Sequence, residues 1–261
     1  MSDAPRLHLD ARGAGPVLAL AHGFGGSARN FRGQLRRFAE AGWRVVVWDA
    51  RGHARSEAPR DATAYGLDAL ADDLGRVLDT EAAESAVVGG LSLGAATALR
   101  FAVRRRERVR GLVLASFPPP RSLGGFSRIA LPFAEAVEHE GLEAAGERFV
   151  WGPDSGLDPR GAALVRQGFL EHPPHAMAAM LRGVLAELPE PEEWALEVRD
   201  LDCPALLVAG GADPGSLAAQ RLLADALPRA RAVEIPDAGH VVNLAAPEAF
   251  DAALADFLDG L

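Results

Sequence analysis

The run Ala86-Val87-Val88-Gly89-Gly90-Leu91-Ser92-Leu93-Gly94-Ala95-Ala96 decides how this chain is read. It opens on an apolar stretch, Ala86–Gly89, that reads as a buried strand. It closes into Leu93–Arg105, whose apolar spacing reads as a helix. Between them stands a G-x-S-x-G, Gly90 to Gly94. A strand, a serine turn and a helix in immediate succession are what a nucleophile elbow needs. The serine occupies a tight, strained turn, and small residues on both sides let strand and helix approach. The turn lifts the hydroxyl clear of the backbone at a helix N-terminus, where the dipole favours developing negative charge. The pentapeptide alone is a weak signal; its placement makes it a strong one. A helix-capping serine is the plainer alternative, and Ser92 is taken as the nucleophile.

Outward from this run, strand-like and helix-like stretches alternate. Val17–Leu20, Arg44–Trp48, Val109–Ala115, Ala205–Ala209 and Ala232–Ile235 read as further buried strands. Residues 28–41 read as a polar helix. Leu67, Leu70, Ala71, Leu74, Val77 and Leu78 share one helical face, Ser216–Leu227 forms another helix, and Phe250, Ala253, Leu254, Phe257 and Leu258 form the stripe of the last. This alternation predicts an α/β fold with a mostly parallel sheet and helices on both faces. Only Arg6–Asp10 precedes the first core strand, so a reduced first hairpin is expected. After Phe117 the pattern breaks. Pro118-Pro119-Pro120 stops regular structure, and only helices are legible from there to about Pro191. One of them carries Met177, Met180, Leu181, Val184, Leu185 and Leu188 on one face. The expected organisation is a core of residues 1–117 and 192–261 with a helical cap, residues 118–191, inserted into it.

Composition narrows the function. With 261 residues, 49% of them hydrophobic and 24% charged, the chain can bury a large core. The net charge of −9 argues against nucleic acid as a partner. All 27 basic residues are arginine, which removes Schiff-base lysine, P-loop lysine and Ser-Lys chemistry. The single cysteine, Cys203, permits no internal disulfide and reads as a core residue. Met1 to Pro16 does not read as a signal peptide and no apolar run reaches membrane-spanning length, so a cytoplasmic location and no membrane partner are expected.

A serine hydroxyl needs a base, and the base should be a histidine oriented by a carboxylate. The histidines are His8, His22, His53, His139, His172, His175 and His240. His240 follows the strand Ala232–Ile235 through Pro236-Asp237-Ala238-Gly239. Asp213 follows the strand Ala205–Ala209 through Gly210-Gly211-Ala212. Both lie past strand C-termini, where a parallel sheet collects its functional loops. Asp237 is a rival acid only three residues before His240 and reads better as a turn residue. The oxyanion of an acyl-transfer intermediate needs backbone N–H donors. His22-Gly23-Phe24-Gly25-Gly26 follows the first core strand, and its glycines can turn N–H groups toward the site. The N–H groups of Phe24 and Leu93 are the expected donors, with His22 a structural loop residue.

With these pieces in view, the chain resembles the α/β-hydrolase superfamily over nearly its whole length. The resemblance is carried by His22–Gly26, Asp49-Ala50-Arg51-Gly52-His53-Ala54-Arg55-Ser56, Gly90–Gly94, Gly210-Gly211-Ala212-Asp213 and Asp237-Ala238-Gly239-His240. It implies the triad order Ser92, Asp213, His240, no cofactor, and a packing role for Asp49–Ser56. Small cap-bearing members include carboxylesterases, 3-oxoadipate enol-lactonases, meta-cleavage-product C–C hydrolases and cofactor-free perhydrolases. Haloalkane dehalogenases and epoxide hydrolases carry Asp at the elbow, which Ser92 does not match. Two departures stand out. Ala95-Ala96 follows Gly94 where many relatives have a further glycine, and Pro214-Gly215 follows Asp213 where an apolar pair is common.

The expected activity is hydrolysis of an ester- or lactone-type carbonyl in a small molecule through an acyl-enzyme. The alternatives are C–C hydrolysis of a vinylogous diketone by the same triad, or ligand binding without turnover. Phe126, Ile129, Leu131, Phe133, Phe149, Trp151, Phe169 and Met177 make the cap apolar; Phe133, Phe169 and Met177 are the expected substrate-binding residues. No metal is expected. His172-Pro-Pro-His175 lacks a helical His pair and has no acidic or Cys ligand close in sequence. Arg104-Arg105-Arg106 reads as a solvated helix end.

Overall fold

The three consecutive valines of Arg44–Trp48 are β-branched and apolar on both sides, as a strand covered on both faces requires. The computed structural model describes residues 4–152 and 159–261. Its strands are β1 (Leu9–Arg12), β2 (Val17–Ala21), β3 (Arg44–Trp48), β4 (Ala86–Leu91), β5 (Val109–Ala115), β6 (Ala205–Gly210) and β7 (Ala230–Ile235). They form one seven-stranded sheet in the order β1-β3-β2-β4-β5-β6-β7. β1 pairs antiparallel with β3 and every other pairing is parallel. The helices are α1 (Arg32–Glu40), α2 (Leu67–Thr80), α3 (Leu93–Arg104), α4 (Phe126–Gly146), α5 (Pro159–Phe169), α6 (Pro174–Met180), α7 (Pro191–Glu197), α8 (Pro214–Ala226), α9 (Val242–Ala245) and α10 (Pro247–Leu258).

Side-chain alternation along the strands builds two cores. Leu18, Leu20, Val45, Val47, Val87, Val113, Leu206 and Val208 meet Phe38 of α1 and Phe250, Leu254 and Phe257 of α10. Ala19, Val46, Val88, Leu112, Leu114 and Leu207 face the other way, toward Leu74 and Val77 of α2, Leu99 of α3 and Leu223 of α8. Burial on both faces explains why β2 to β6 are legible as apolar runs.

Strand order also places the functional crevice. From β2 the chain moves to β3 on one side and then to β4 on the other, with Ala21 of β2 beside Gly90 of β4. Connections leaving β2 and β4 therefore diverge to opposite faces and leave a gap at their carboxyl ends. The turn at Gly23 and the elbow at Ser92 stand at that gap.

The elements between β5 and β6 are helical throughout the described residues. α4 contains Pro132 and bends at Gly141, whose φ is +86°. α6 does not run on as one regular helix through Leu188. It passes at Leu181–Leu185 into a π-helical turn, with Met177, Met180, Leu181 and Val184 fully buried. α7 was not legible in the sequence; it buries Trp194 against Phe117 and packs on α8. Residues 28–41 divide into a 3₁₀ turn, Ala28–Phe31, and α1. Among the described residues no helix is long and apolar enough to cross a membrane.

Candidate active site

Ser92 sits between β4 and α3 with φ +54° and ψ −114°. A residue with a Cβ rarely holds a positive φ, and the conformation costs on the order of 1–3 kcal/mol. The neighbouring backbone keeps it there. A Cβ on Gly90 would lie 2.4 Å from the Ala21 carbonyl oxygen, and one on Gly94 2.1 Å from the same atom. Strand, elbow and helix thus pack backbone to backbone on the end of β2, and glycine is required on both sides of the serine. The N–H of Ser92 donates to the Ala115 carbonyl at 2.9 Å. Ala95 and Ala96 are completely buried at the helix start.

The loops after β6 and β7 meet by the same device. A Cβ on Gly210 would lie 2.1 Å from the Ala238 carbonyl oxygen, which accepts the N–H of Ala212 at 3.0 Å. This contact brings Asp213 to His240, with Asp213 Oδ2 2.6 Å from His240 Nδ1. Asp213 Oδ1 accepts the N–H of Ser216 at 3.2 Å, so the acid also caps α8, with Pro214 at its first position. Gly215 is needed there, because its Cβ would lie 2.7 Å from Pro119. Burial alone would raise the Asp213 pKa. The His240 hydrogen bond and charge, aided by the Ser216 hydroxyl and N–H, outweigh it and bring the value down to about 2. Ser216, whose Oγ is 3.4 Å from His240 Nδ1, is part of the site and was not singled out by sequence. Asp237 is exposed with φ +59°, in the turn before His240.

With Nδ1 held by Asp213, Nε2 of His240 is the nitrogen left to act. Among the described residues no hydrogen bond joins it to Ser92 Oγ. Such bonds are often long without substrate and tighten when it binds.

A profile of the alpha/beta hydrolase family matches residues 18–253. The chain belongs to this family. In overall structure this hydrolase is similar to an esterase of Thermogutta terrifontis, with TM-score 0.84, 28% identity and 97% and 93% of the two chains covered. It is similar also to an enol-lactonase of Burkholderia xenovorans LB400, with TM-score 0.85, 26% identity and 98% of each chain covered. In sequence it is 27% identical, over 100% of its own length and 97% of the relative's, to a candidate 2-succinyl-6-hydroxy-2,4-cyclohexadiene-1-carboxylate synthase of Bacillus subtilis (strain 168).

The hydrolase also carries a glycine turn beside Ser92. A Cβ on Gly23 would lie 3.5 Å from that of Ser92. The Gly26 N–H closes the turn on the Gly23 carbonyl at 3.0 Å, with Gly25 at φ +69° in its third position. Among the described residues the Phe24 and Leu93 N–H groups donate to no other protein group. The Phe24 ring is packed by Phe126, Phe133 and Phe169, with centroids 5.6–6.1 Å away. Phe133 and Phe169 are almost completely buried around that ring. Met177 is fully buried in α6.

Three histidines turn out to be structural. His22 accepts the Ala50 N–H on Nε2 at 2.9 Å and donates from Nδ1 to the Gly23 carbonyl at 2.7 Å. Burial drives its pKa down to about 4. His53 and His172 are likewise buried, and burial lowers both. Of Asp49–Ser56, Asp49 holds the Ala28 N–H and Arg55, and Arg51 forms a two-bond ion pair with Asp73. His8 and His175 lie apart from Ser92 in sequence and bonding, His8 toward Asp10 and His175 toward the Ala58 carbonyl. Among the described residues no group of three or more His, Cys, Asp or Glu side chains could hold a metal ion.

Proposed function

We propose that this hydrolase cleaves an ester- or lactone-type carbonyl in a small molecule through a Ser92-Asp213-His240 triad. The observation that carries the reading is the 2.6 Å contact of Asp213 Oδ2 with His240 Nδ1 at the sheet end that holds the strained Ser92. That bond selects the tautomer whose Nε2 is a base. His240 Nε2 takes the Ser92 proton as Oγ attacks the carbonyl carbon. The carbonyl oxygen becomes an oxyanion and accepts hydrogen bonds from the Phe24 and Leu93 N–H groups. As the intermediate collapses, the C–O bond breaks and His240 gives its proton to the leaving alkoxide. The acyl-enzyme is then attacked by a water that His240 deprotonates. The second collapse releases the carboxylic acid and returns the proton to Ser92.

Residues 118–191 serve as the cap in this reading, and Phe133, Phe169 and Met177 set the shape of the acyl pocket, the first two through the Phe24 ring. A panel of p-nitrophenyl esters and lactones of graded length tests the proposal. The wild type is expected to turn over at least some of them. Ser92→Ala is expected to fold and lose at least a hundredfold in kcat/KM, since the triad contributes far more than that. A folded Ser92→Ala variant within tenfold of wild type would contradict the nucleophile assignment.

A further inference from the structure

His172 lies in the proposed cap, yet both of its ring nitrogens reach into the core. Nε2 donates to the Gly25 carbonyl at 2.9 Å, and Nδ1 accepts the Ala54 N–H at 2.9 Å. The tautomer follows from the partners, because a backbone N–H only donates and a carbonyl only accepts. Gly25 is held from its other side as well. Its N–H donates to His53 Nε2 at 3.2 Å, while His53 Nδ1 faces the Arg51 carbonyl. Both polar backbone atoms of one glycine are therefore fixed by imidazoles, whose rings stand 4.9 Å apart. That glycine is the left-handed corner of the turn beside Ser92.

The neighbours of His172 dock on the same turn and on the 3₁₀ turn that follows it. A Cβ on Gly25 would lie 2.7 Å from the Phe169 ring, and Glu171 pairs with Arg29. The second partner, Ala54, is itself held at φ +43°, a conformation unfavourable to a residue with a Cβ. An apolar side chain would leave the Gly25 carbonyl and the Ala54 N–H without this partner, whereas a side chain with a donor at one end and an acceptor at the other pairs both and ties the two loops in register.

We propose that His172 is a positioning residue that steadies the oxyanion-binding turn from the cap, by fixing the Gly25 carbonyl at the corner that follows Phe24. This rests on the serine-hydrolase reading above. The neutral ring is the only form that fits, since a proton on Nδ1 would face the Ala54 N–H. Burial favours the neutral form, helped by nearby Arg29 and opposed by Glu171, Asp49 and the Gly25 bond.

Two isosteric halves of the ring separate the roles. His172→Gln places a donor where Nε2 stood and keeps the Gly25 bond. His172→Asn keeps an acceptor where Nδ1 stood, for Ala54, and stops short of Gly25. The full-length variants are compared by kcat and KM on p-nitrophenyl acetate and by inhibition with phenylboronic acid, which forms a tetrahedral adduct on the serine. His172→Asn is expected to lose on the order of tenfold in kcat, a fraction of what removing an oxyanion donor costs. Its KM should stay within about twofold, and boronic acid binding should weaken in parallel with kcat. His172→Gln is expected to recover most of both. Equal values for the two variants, whether at the wild-type level or equally depressed, overturn the proposal, because the Gly25 bond would then not matter. Labelling of wild-type Ser92 by a fluorophosphonate separates this failure from that of the underlying reading. Labelling with equal variants rejects only the positioning role, whereas no labelling rejects the serine mechanism itself.

Discussion

At the scale of single residues, the site rests on contacts that force a few atoms into unusual positions. Ser92 keeps its positive φ because Gly90 and Gly94 let three backbones meet at Ala21. Asp213 keeps its charge down to a pH of about 2 because His240 and Ser216 hold it. The carboxylate is therefore ionised across the whole working range, and loss of kcat/KM on the acid side should not report protonation of Asp213. Asp213→Asn is expected to lower kcat by roughly 10³–10⁴-fold, because the amide favours the wrong imidazole tautomer and cannot stabilise the imidazolium. Steady-state kinetics at pH 7.5 check this, and a loss under tenfold would point to another acid. The positions of Ser92, Asp213 and His240 past strand ends were legible because each follows a recognisable strand or turn. Ser216 and His172 were not. The hydroxyl of Ser216 matters only once α8 starts at Pro214, and the His172–Gly25 bond spans 147 residues.

At the scale of elements, the six parallel strands could be read to within two residues; burial on both faces writes β2 to β6 as apolar runs, while β7 at the other edge is mostly exposed. β1 was hidden because Leu-Asp-Ala-Arg is short, half-exposed and at the sheet edge. α7 was hidden by its length of seven residues. The π-helical turn at Leu181–Leu185 leaves no mark in the apolar stripe of that face. The apolar character of α4–α6 was plain, but its direction was not. Phe133 and Phe169 close on Phe24 and on one another, so under the proposed function trimming them acts through the Phe24 turn as well as through the space left for an acyl group. Phe133→Ala and Phe169→Ala are expected to shift the chain-length profile of kcat/KM toward longer acyl groups, by about 1–3 kcal/mol per methylene accommodated. Activity on acetate should also fall modestly for both variants. Two profiles superimposable on wild type, with folding verified by circular dichroism, would make these side chains packing alone.

At the scale of the whole molecule, the turn beside Ser92 is tied to the rest by buried neutral histidines, and stability should carry their signature. His22, His53 and His172 all have pKa values below 6.5 in the fold. The unfolded chain takes up protons first as pH falls, so stability is intact above about pH 6.5 and is lost below it. For His22, shifted to about 4, the full window is worth about 3 kcal/mol, of which about 2 kcal/mol is gone by pH 5. The depressed carboxylates Asp49 and Asp213 act in a lower window, below about pH 4. Urea unfolding at pH 7.5 and 5.0 reads the first window, and equal free energies at the two values would contradict a neutral buried cluster.

The central claim, that Ser92 is a nucleophile activated by His240, is tested most directly by stoichiometric labelling. The full-length protein is treated with a fluorophosphonate at pH 7.5, and the modified peptide is mapped by mass spectrometry. One label per chain, on the peptide carrying Ser92, is expected, with labelling at least a hundredfold slower in His240→Ala. No label, a label on another residue, or an equal rate in folded His240→Ala would contradict it.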